Sequence, residues 1–324
     1  MPRFVGPASE QAASAWLGER DPNRVSGRMR AIIDIGSNSI LLLIAARDAD
    51  GRLTIVRDEA TVARLSQGAA ERGSLAPEAI ERALAVLERY RETARAHGIA
   101  PAQIVAVATE GLRMVGNPEA FLVPAAALLG HEVRLISGDE EARLSYLSVA
   151  VETPEPGELR VIDIGGASTE LAIGQGTSLL HSQSHRVGSV RLSERFITTH
   201  PPTRAMIEAM EASVREAFAS QPLAPLPALH GLAGTVTTCA AILLGLREYS
   251  RERVDGSRFA ATQIRALRDE LATWPLERLQ AEPMLGKGRA DLVVSGATIL
   301  WVALQHCGAS ELVVRDRGLR YALV

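Results

Sequence analysis

Lysine is all but missing from this chain: Lys287 is the single one among 35 basic residues. The arginines that stand in its place suit bidentate phosphate contacts. They are spread over the whole sequence, however, a pattern that also follows from a compositional bias of the coding DNA. Cysteine is scarce as well. Cys239 and Cys307 each stand alone in an apolar stretch of helical character, which argues against a disulfide framework or a zinc site. A reducing compartment suits such a sequence, and a cytoplasmic location is expected. The opening residues, MPRFVGPASEQAASAWLGERDPN, hold no apolar run long enough for a signal peptide or a membrane span. Excess charge is lacking too. A net charge of −3 excludes a general polyanion binder. No nucleic-acid or membrane partner is therefore expected, and any attraction for phosphate must come from a local basic cleft.

What the chain does have is length and apolar content for two domains: 324 residues, 47% hydrophobic and 23% charged. Residues 1–29 read as a disordered extension. From Arg30, RAIIDIGSNSILLLIAARDADGRLTIVRDE reads as strands joined at DIGSNS and at a hairpin turn, Asp50-Gly51. A helix is expected over 77–97, opened by Pro77, with apolar Ile80, Leu84, Leu87 and Tyr90 on one face and Gly98 as its stop. QIVAVAT reads as a buried strand, NPEAFLVPAAALLG as a helix, EVRLI as a strand and SGDEEARLSYLSVAV as a helix. The stretch TPEPGE links this part to the next. It gives one domain over 30–153, with the C-terminal helix a candidate to complete it, and a second over 154–324. After the link the opening pattern returns: IIDIGSNS at 32–39 is matched by VIDIGGAS at 161–168. A repeat of that length is a duplicated domain, not a solenoid. The rest is mostly helical, with strands at ALHGLAG and ELVVR.

Both glycine turns lead into a strand, where a dinucleotide fingerprint would lead into a helix. Glycine there lets backbone N–H groups approach an anion closely. The hydroxyls of Ser37, Ser39, Ser168 and Thr169 would add donors, and Asp34 and Asp163 at the strand ends could hold a metal ion through water. Either turn alone is as readily an ordinary hairpin; the duplicate with the same order of residues is not. Two such turns facing across a cleft is how actin-like ATPases clamp phosphates. A third glycine element, HGLAGTVTT, places Gly234 and Thr235 where a helix opens, at the positive end of its dipole, although a plain N-cap would look the same. In ISGDEEARLSYL, Ser137 and Glu140 have capping-box spacing. Glu141 lacks that duty and projects from the first turn, either as a general base or as a solvated acid favoured by the dipole. In VATEGLRMVGN, Arg113 is within reach of a phosphate oxygen or is simply a surface arginine.

Together these strings resemble the Ppx/GppA family of exopolyphosphatases and guanosine pentaphosphate phosphatases. IDIGSNSILLLIA, VATEGLR with Asn117, ISGDEEARLSYL, VIDIGGASTELAIG, RVGSVRLSERF, GLAGTVTT, GRADLVVSGATIL and VVRDRGLR occur in the family's order from about residue 30 onward. The resemblance implies an α/β, actin-like (ribonuclease H-like) fold, duplicated, with two domains around a central cleft. It also implies magnesium-dependent release of a terminal phosphate from inorganic polyphosphate, with manganese an alternative metal and a homodimer expected. By position, Glu141 is the catalytic base. Gly36, Ser37, Asn38 and Ser39 form the first phosphate loop, and Gly165, Gly166, Ala167, Ser168 and Thr169 the second. Arg113, Gly234 and Thr235 are further phosphate contacts, and Asp163, Asp34 and Glu170 hold the metal. The rivals are a guanosine pentaphosphate (pppGpp) phosphohydrolase, an actin-like sugar or acetate kinase, and a non-catalytic polyphosphate or alarmone sensor. Three departures from the family pattern stand out: Ala167 for a third glycine, Glu110 beside Thr109, and Arg315 where serine is usual. A chain that stops soon after VVRDRGLR, without the C-terminal region of longer members, further implies short polyphosphates and low processivity.

Overall fold

The computed structural model describes residues 27–153 and 157–324. Most of the expected N-terminal extension, and the centre of the TPEPGE link, lie outside the described residues. Arg28 and Met29, expected in the extension, instead open the first strand and pair with Arg47 and Ala46.

Two mixed sheets carry the molecule. The first contains β1 (Arg28–Ile35), β2 (Ser39–Arg47), β3 (Leu53–Val62), β4 (Ile104–Ala108) and β5 (Val133–Leu135), in the order β3-β2-β1-β4-β5. The second contains β6 (Glu158–Ile164), β7 (Thr169–Gln175), β8 (Ser178–His185), β9 (Ala228–Leu232), β10 (Arg258–Ala260) and β11 (Glu311–Val314). Its order is β8-β7-β6-β9-β11, with β10 added at the outer edge. The two halves therefore repeat one topology, the duplicated actin-like arrangement. Tight turns at the glycine motifs and at Asp50-Gly51 make the first three strands of each half antiparallel. Helical crossovers then bring β4, β5, β9 and β11 in parallel. The three-residue β10 is too short to show a period and was not expected.

The Pro77–Ala96 helix lies on the first sheet. Ala83, Leu87, Tyr90 and Ala94 are fully buried, while Ile80 and Leu84 flank them half-buried. The Tyr90 hydroxyl donates to the carbonyl of Ile40 at 3.0 Å, which ties the helix to β2 directly after the first glycine turn.

The last helices of the two halves change places. The Gly138–Ala150 helix follows β5, yet Tyr146, Val149 and Ala150 pack with Leu159, Val161 and Ala172 of the second sheet. The Leu319–Ala322 helix follows β11, yet Tyr321 packs with Ile32, Leu43 and Ala45 of the first. Between them, Leu144 and Leu319 share a cluster with Val107 and Ile136. The close seat of the first of these helices depends on Gly174. A Cβ there would come within 2.3 Å of both the Tyr146 hydroxyl and the Ser178 carbonyl, at a register shift in β7. Among the described residues, no helix is long and apolar enough to cross a membrane.

Candidate active site

The two glycine turns close in the same way: Gly36 N–H donates to the Ser39 carbonyl and Gly165 N–H to the Ser168 carbonyl, each at 3.0 Å. These two N–H groups are spent inside the turns, which leaves those of Ser37, Asn38, Gly166 and Ala167 for a ligand. The turns also meet. A Cβ on Gly166 would stand 3.1 Å from Ser37 Cβ and 3.1 Å from Val190 Cγ2, so any side chain there must push a neighbour back by a few tenths of an ångström. Ala167, in place of the family's third glycine, does not have a left-handed φ, and alanine fits without strain. The second turn is gripped from behind. Gly165 and Gly166 carbonyls accept the Ser189, Val190 and Arg191 N–H groups at 2.9–3.1 Å, which satisfies the first turn of the Ser189–Phe196 helix.

Between the turns lies a cavity of about 160 Å³. Asp34, Gly36, Ser37, Asn38 and Ser39 line it from the first half, with Glu141 from the exchanged helix. Asp163, Gly165, Gly166, Ala167 and Ser168 line it from the second half, together with Gly234 and Thr235. The carboxylates crowd one another. Burial, then the charges of Glu170, Asp163 and Asp34, push Glu141 well above the usual carboxylate range, and Arg113 pulls it back. Burial lifts Asp34 to about 7, against Arg320 and with a push from Asp163. Burial also raises Asp163, although Ser145 donates to its Oδ2 at 2.6 Å. Hard oxygen donors at the ends of two equivalent strands, held at such a cost, suit a divalent cation. Among the described residues no three His, Cys, Asp or Glu side chains gather into a ready-made ligand set, so phosphate oxygens and water would complete the shell of a cation held by Asp34 and Asp163.

Three expected site residues do not line the cavity. Thr169 begins β7 and is fully buried, its Oγ1 donating to the Val187 carbonyl at 2.6 Å. Glu170 pairs with Asp163 across the β6–β7 ladder, accepts from Ser184 Oγ at 2.7 Å, and is raised to about 8 by burial and by Asp163. Strand alternation sends these neighbours to opposite faces, and Glu170 lies behind the cavity wall, where its negative form pushes Glu141 up. Arg113 gives its Nε and Nη2 to Glu110 at 3.0 and 2.6 Å and another N–H to the Ile136 carbonyl. Its Nη2 also lies 3.5 Å from Glu141 Oε2. Glu110 thereby loses its character as a stray negative charge: it is buried against Arg113, with Arg186 at 3.6 Å. Arg315 neither lines nor blocks the cavity. Its backbone N–H bonds the Gly231 carbonyl, and its guanidinium lies 3.6 Å from Asp255.

The third glycine element opens its helix at Ala233, two residues before Thr235. Ala233 has φ 69°, one of two non-glycine residues in the left-handed region among those described, a local strain of about 1–2 kcal/mol. The cavity also takes in Arg289, Arg317 and Arg320, whose roles the sequence did not disclose. Arg320 donates to Asp58 at 3.0–3.2 Å and draws Asp34 down. Burial lowers Arg289. All three lie inside strings quoted for the family resemblance, which was the available signal.

A model of the Ppx/GppA phosphatase family matches residues 43–324. The chain belongs to that family. It is 34% identical over 306 residues to exopolyphosphatase 2 of Mycobacterium tuberculosis, covering 89% of this chain and 95% of that protein. A Ppx/GppA family structure from Aquifex aeolicus superposes with a TM-score of 0.77 at 30% identity, over 91% of this chain and 95% of the other. An exopolyphosphatase-like protein superposes at 0.84 and 32%, over 91% and 96%. The family is a phosphatase family, and the cavity holds what phosphoanhydride hydrolysis asks for: backbone donors, arginines and a buried carboxylate on one wall.

Proposed function

We propose that the chain is a cation-dependent exopolyphosphatase that removes terminal phosphate from linear inorganic polyphosphate by direct hydrolysis. One observation carries the reading: Glu141 opens into the same cavity as both glycine turns, so a base and a phosphate cradle face one reacting centre. The exopolyphosphatase named above as a relative supports the substrate. A cation at Asp34 and Asp163, magnesium or manganese by the hardness of the donors, supplies neutralisation of phosphate charge. The N–H groups of Ser37, Asn38, Gly166 and Ala167 bind the oxygens of the terminal phosphoryl group. Glu141 takes a proton from water as the water oxygen attacks terminal phosphorus. The bond from that phosphorus to the bridging oxygen breaks, and orthophosphate and a chain one unit shorter result. The raised proton affinity of Glu141 makes it a stronger base once ionised.

The two cysteines are buried and free, and burial pushes their thiols up to about 12 and about 11. They are inert in the fold, in keeping with a reducing, cytoplasmic setting.

The test is phosphate release from tripolyphosphate, long polyphosphate, pppGpp and ATP, side by side. The expected order puts polyphosphates first in kcat/KM. A preference for pppGpp would move the substrate to the alarmone, and tight binding without release would make the protein a sensor.

A further inference from the structure

Beyond the catalytic cavity a second hollow, of about 890 Å³, spans the two halves. Arginines dominate it. Arg72 and Arg82 come from the first half; Arg186, Arg191 and Arg195 come from the second. Three carboxylates temper them, and one of these, Glu194, is already engaged by the Gly68 N–H at 2.6 Å. The arginine stems are held in place. Arg72 Nη2 donates to the Gln67 carbonyl at 2.6 Å, Arg191 Nε to the Ala167 carbonyl at 3.0 Å, and the Arg195 guanidinium lies 4.8 Å over the Phe196 ring. Each guanidinium has five N–H donors, so most remain to face a ligand.

The hollow lies close to the catalytic cavity. A narrower space of about 110 Å³ lies between them. It shares Ser37, Gly166 and Ala167 with the catalytic cavity, and Ala70, Arg191 and Glu194 with the hollow. These shared walls place the hollow one space away from the glycine turns, on the side of Arg191 and Glu194.

We propose that the hollow is a distal subsite for the internal phosphates of a linear polyphosphate whose terminal unit lies at the glycine turns. The inference rests on the hydrolase reading above and extends it to the body of the chain. Single-stranded nucleic acid is the poorer occupant. Among the described residues no aromatic ring lines the hollow, whereas proteins that hold single strands stack bases on aromatic side chains. A phosphate chain asks only for charge and N–H donors, which are what the walls offer. The walls come from both halves, so a bound chain would bridge them.

The test is the double variant Arg82→Glu/Arg195→Glu, two positions whose recorded contacts do not touch the glycine turns. Circular dichroism checks that it folds, and the single variant Arg72→Glu serves as an independent second probe. The first readout is kcat/KM on long polyphosphate divided by kcat/KM on tripolyphosphate, which is too short to span both spaces. The second is binding of a labelled long polyphosphate in EDTA, with competition by single-stranded RNA. In each variant the ratio is expected to fall about tenfold and the Kd for the long chain to rise about tenfold, with a shallower salt dependence. Equal losses on both substrates, an unchanged ratio and Kd, or displacement of polyphosphate by RNA at similar concentration would each overturn the subsite. The binding arm needs no turnover. A wild type that binds the long chain through these arginines but releases no phosphate would sink the hydrolase reading and leave the subsite standing.

Discussion

Glu140 and Glu141 are neighbours on one helical turn, and the fold gives them opposite lives. The Glu140 backbone N–H bonds Ser137 Oγ at 3.1 Å, and its carboxylate turns outward to Arg134 at 2.5 Å. Glu141 is buried at the cavity wall. Glu141→Gln is expected to lower kcat about 10²–10⁴-fold while the midpoint of denaturation hardly moves. Glu140→Gln removes a half-exposed ion pair worth up to about 1 kcal/mol and should leave kcat close to wild type; steady-state kinetics showing the reverse ranking would unseat Glu141 as the base. The crowded acids also set a pH dependence. In the cation-free fold Asp34 rises from 3.8 to about 7 and Glu170 from 4.5 to about 8, so the folded state keeps protons that the unfolded chain has released. That contribution is full below about pH 4 and is lost as pH climbs through 7 and 8. In EDTA the urea midpoint should therefore be lower at about pH 8.5 than at about pH 5.5, with magnesium narrowing the gap; a cation-free protein equally stable at both would contradict the crowding. The acids were legible in the sequence because Asp34 and Asp163 recur in a duplicated string. Arg289, Arg317 and Arg320 were legible only as members of family-like strings, since three arginines among 35 basic residues show no role of their own until folding brings Arg320 to Asp58.

At the scale of elements, turn chemistry was readable and partnership was not. DIGSNS, DIGGAS and Asp50-Gly51 announce antiparallel hairpins, and all three form. Periodicity likewise shows that the Gly138–Ala150 helix has an apolar face, but no local pattern says which sheet that face will meet. Its seat on the second sheet depends on Gly174, so Gly174→Ala is expected to cost about 1–3 kcal/mol by overpacking. Adding Tyr146→Phe should recover only part of that loss in urea titrations, because the Ser178 carbonyl remains in the way. Full recovery would place all the crowding on the tyrosine. The start of β7 was the other blind spot. Thr169 was grouped with the phosphate loop and Glu170 with the metal ligands; in the strand Thr169 turns into the core towards Val187, and Glu170, on the face of its partner Asp163, is taken by Ser184 behind the cavity wall. Gly166→Val, by contrast, drives Cγ atoms into Ser37 and Val190 and should raise KM and lower kcat together.

Across the whole molecule the two halves are clasped at the cleft mouth. Arg64 meets Asp291 through two hydrogen bonds of 3.0 and 2.6 Å, and Gly68 N–H meets Glu194 at 2.6 Å. Arg64 holds a φ of 50° while it does so, a backbone strain that the clasp must outweigh. Asp291→Asn should enlarge the radius of gyration of the ligand-free protein in X-ray scattering, and added polyphosphate should draw it back. An unchanged radius would mean that the crossed helices alone set the angle between the halves.

Those crossed helices bear on synthesis. A ribosome delivers the first sheet early, and a nascent domain generally folds as soon as its parts are available. Here the surface formed by Ile32, Leu43 and Ala45 waits for Tyr321, almost three hundred residues downstream, and the emerging chain must carry an uncovered apolar face through most of translation. Chaperone attention during elongation should be concentrated on that face, and it should end only when the last helix is released.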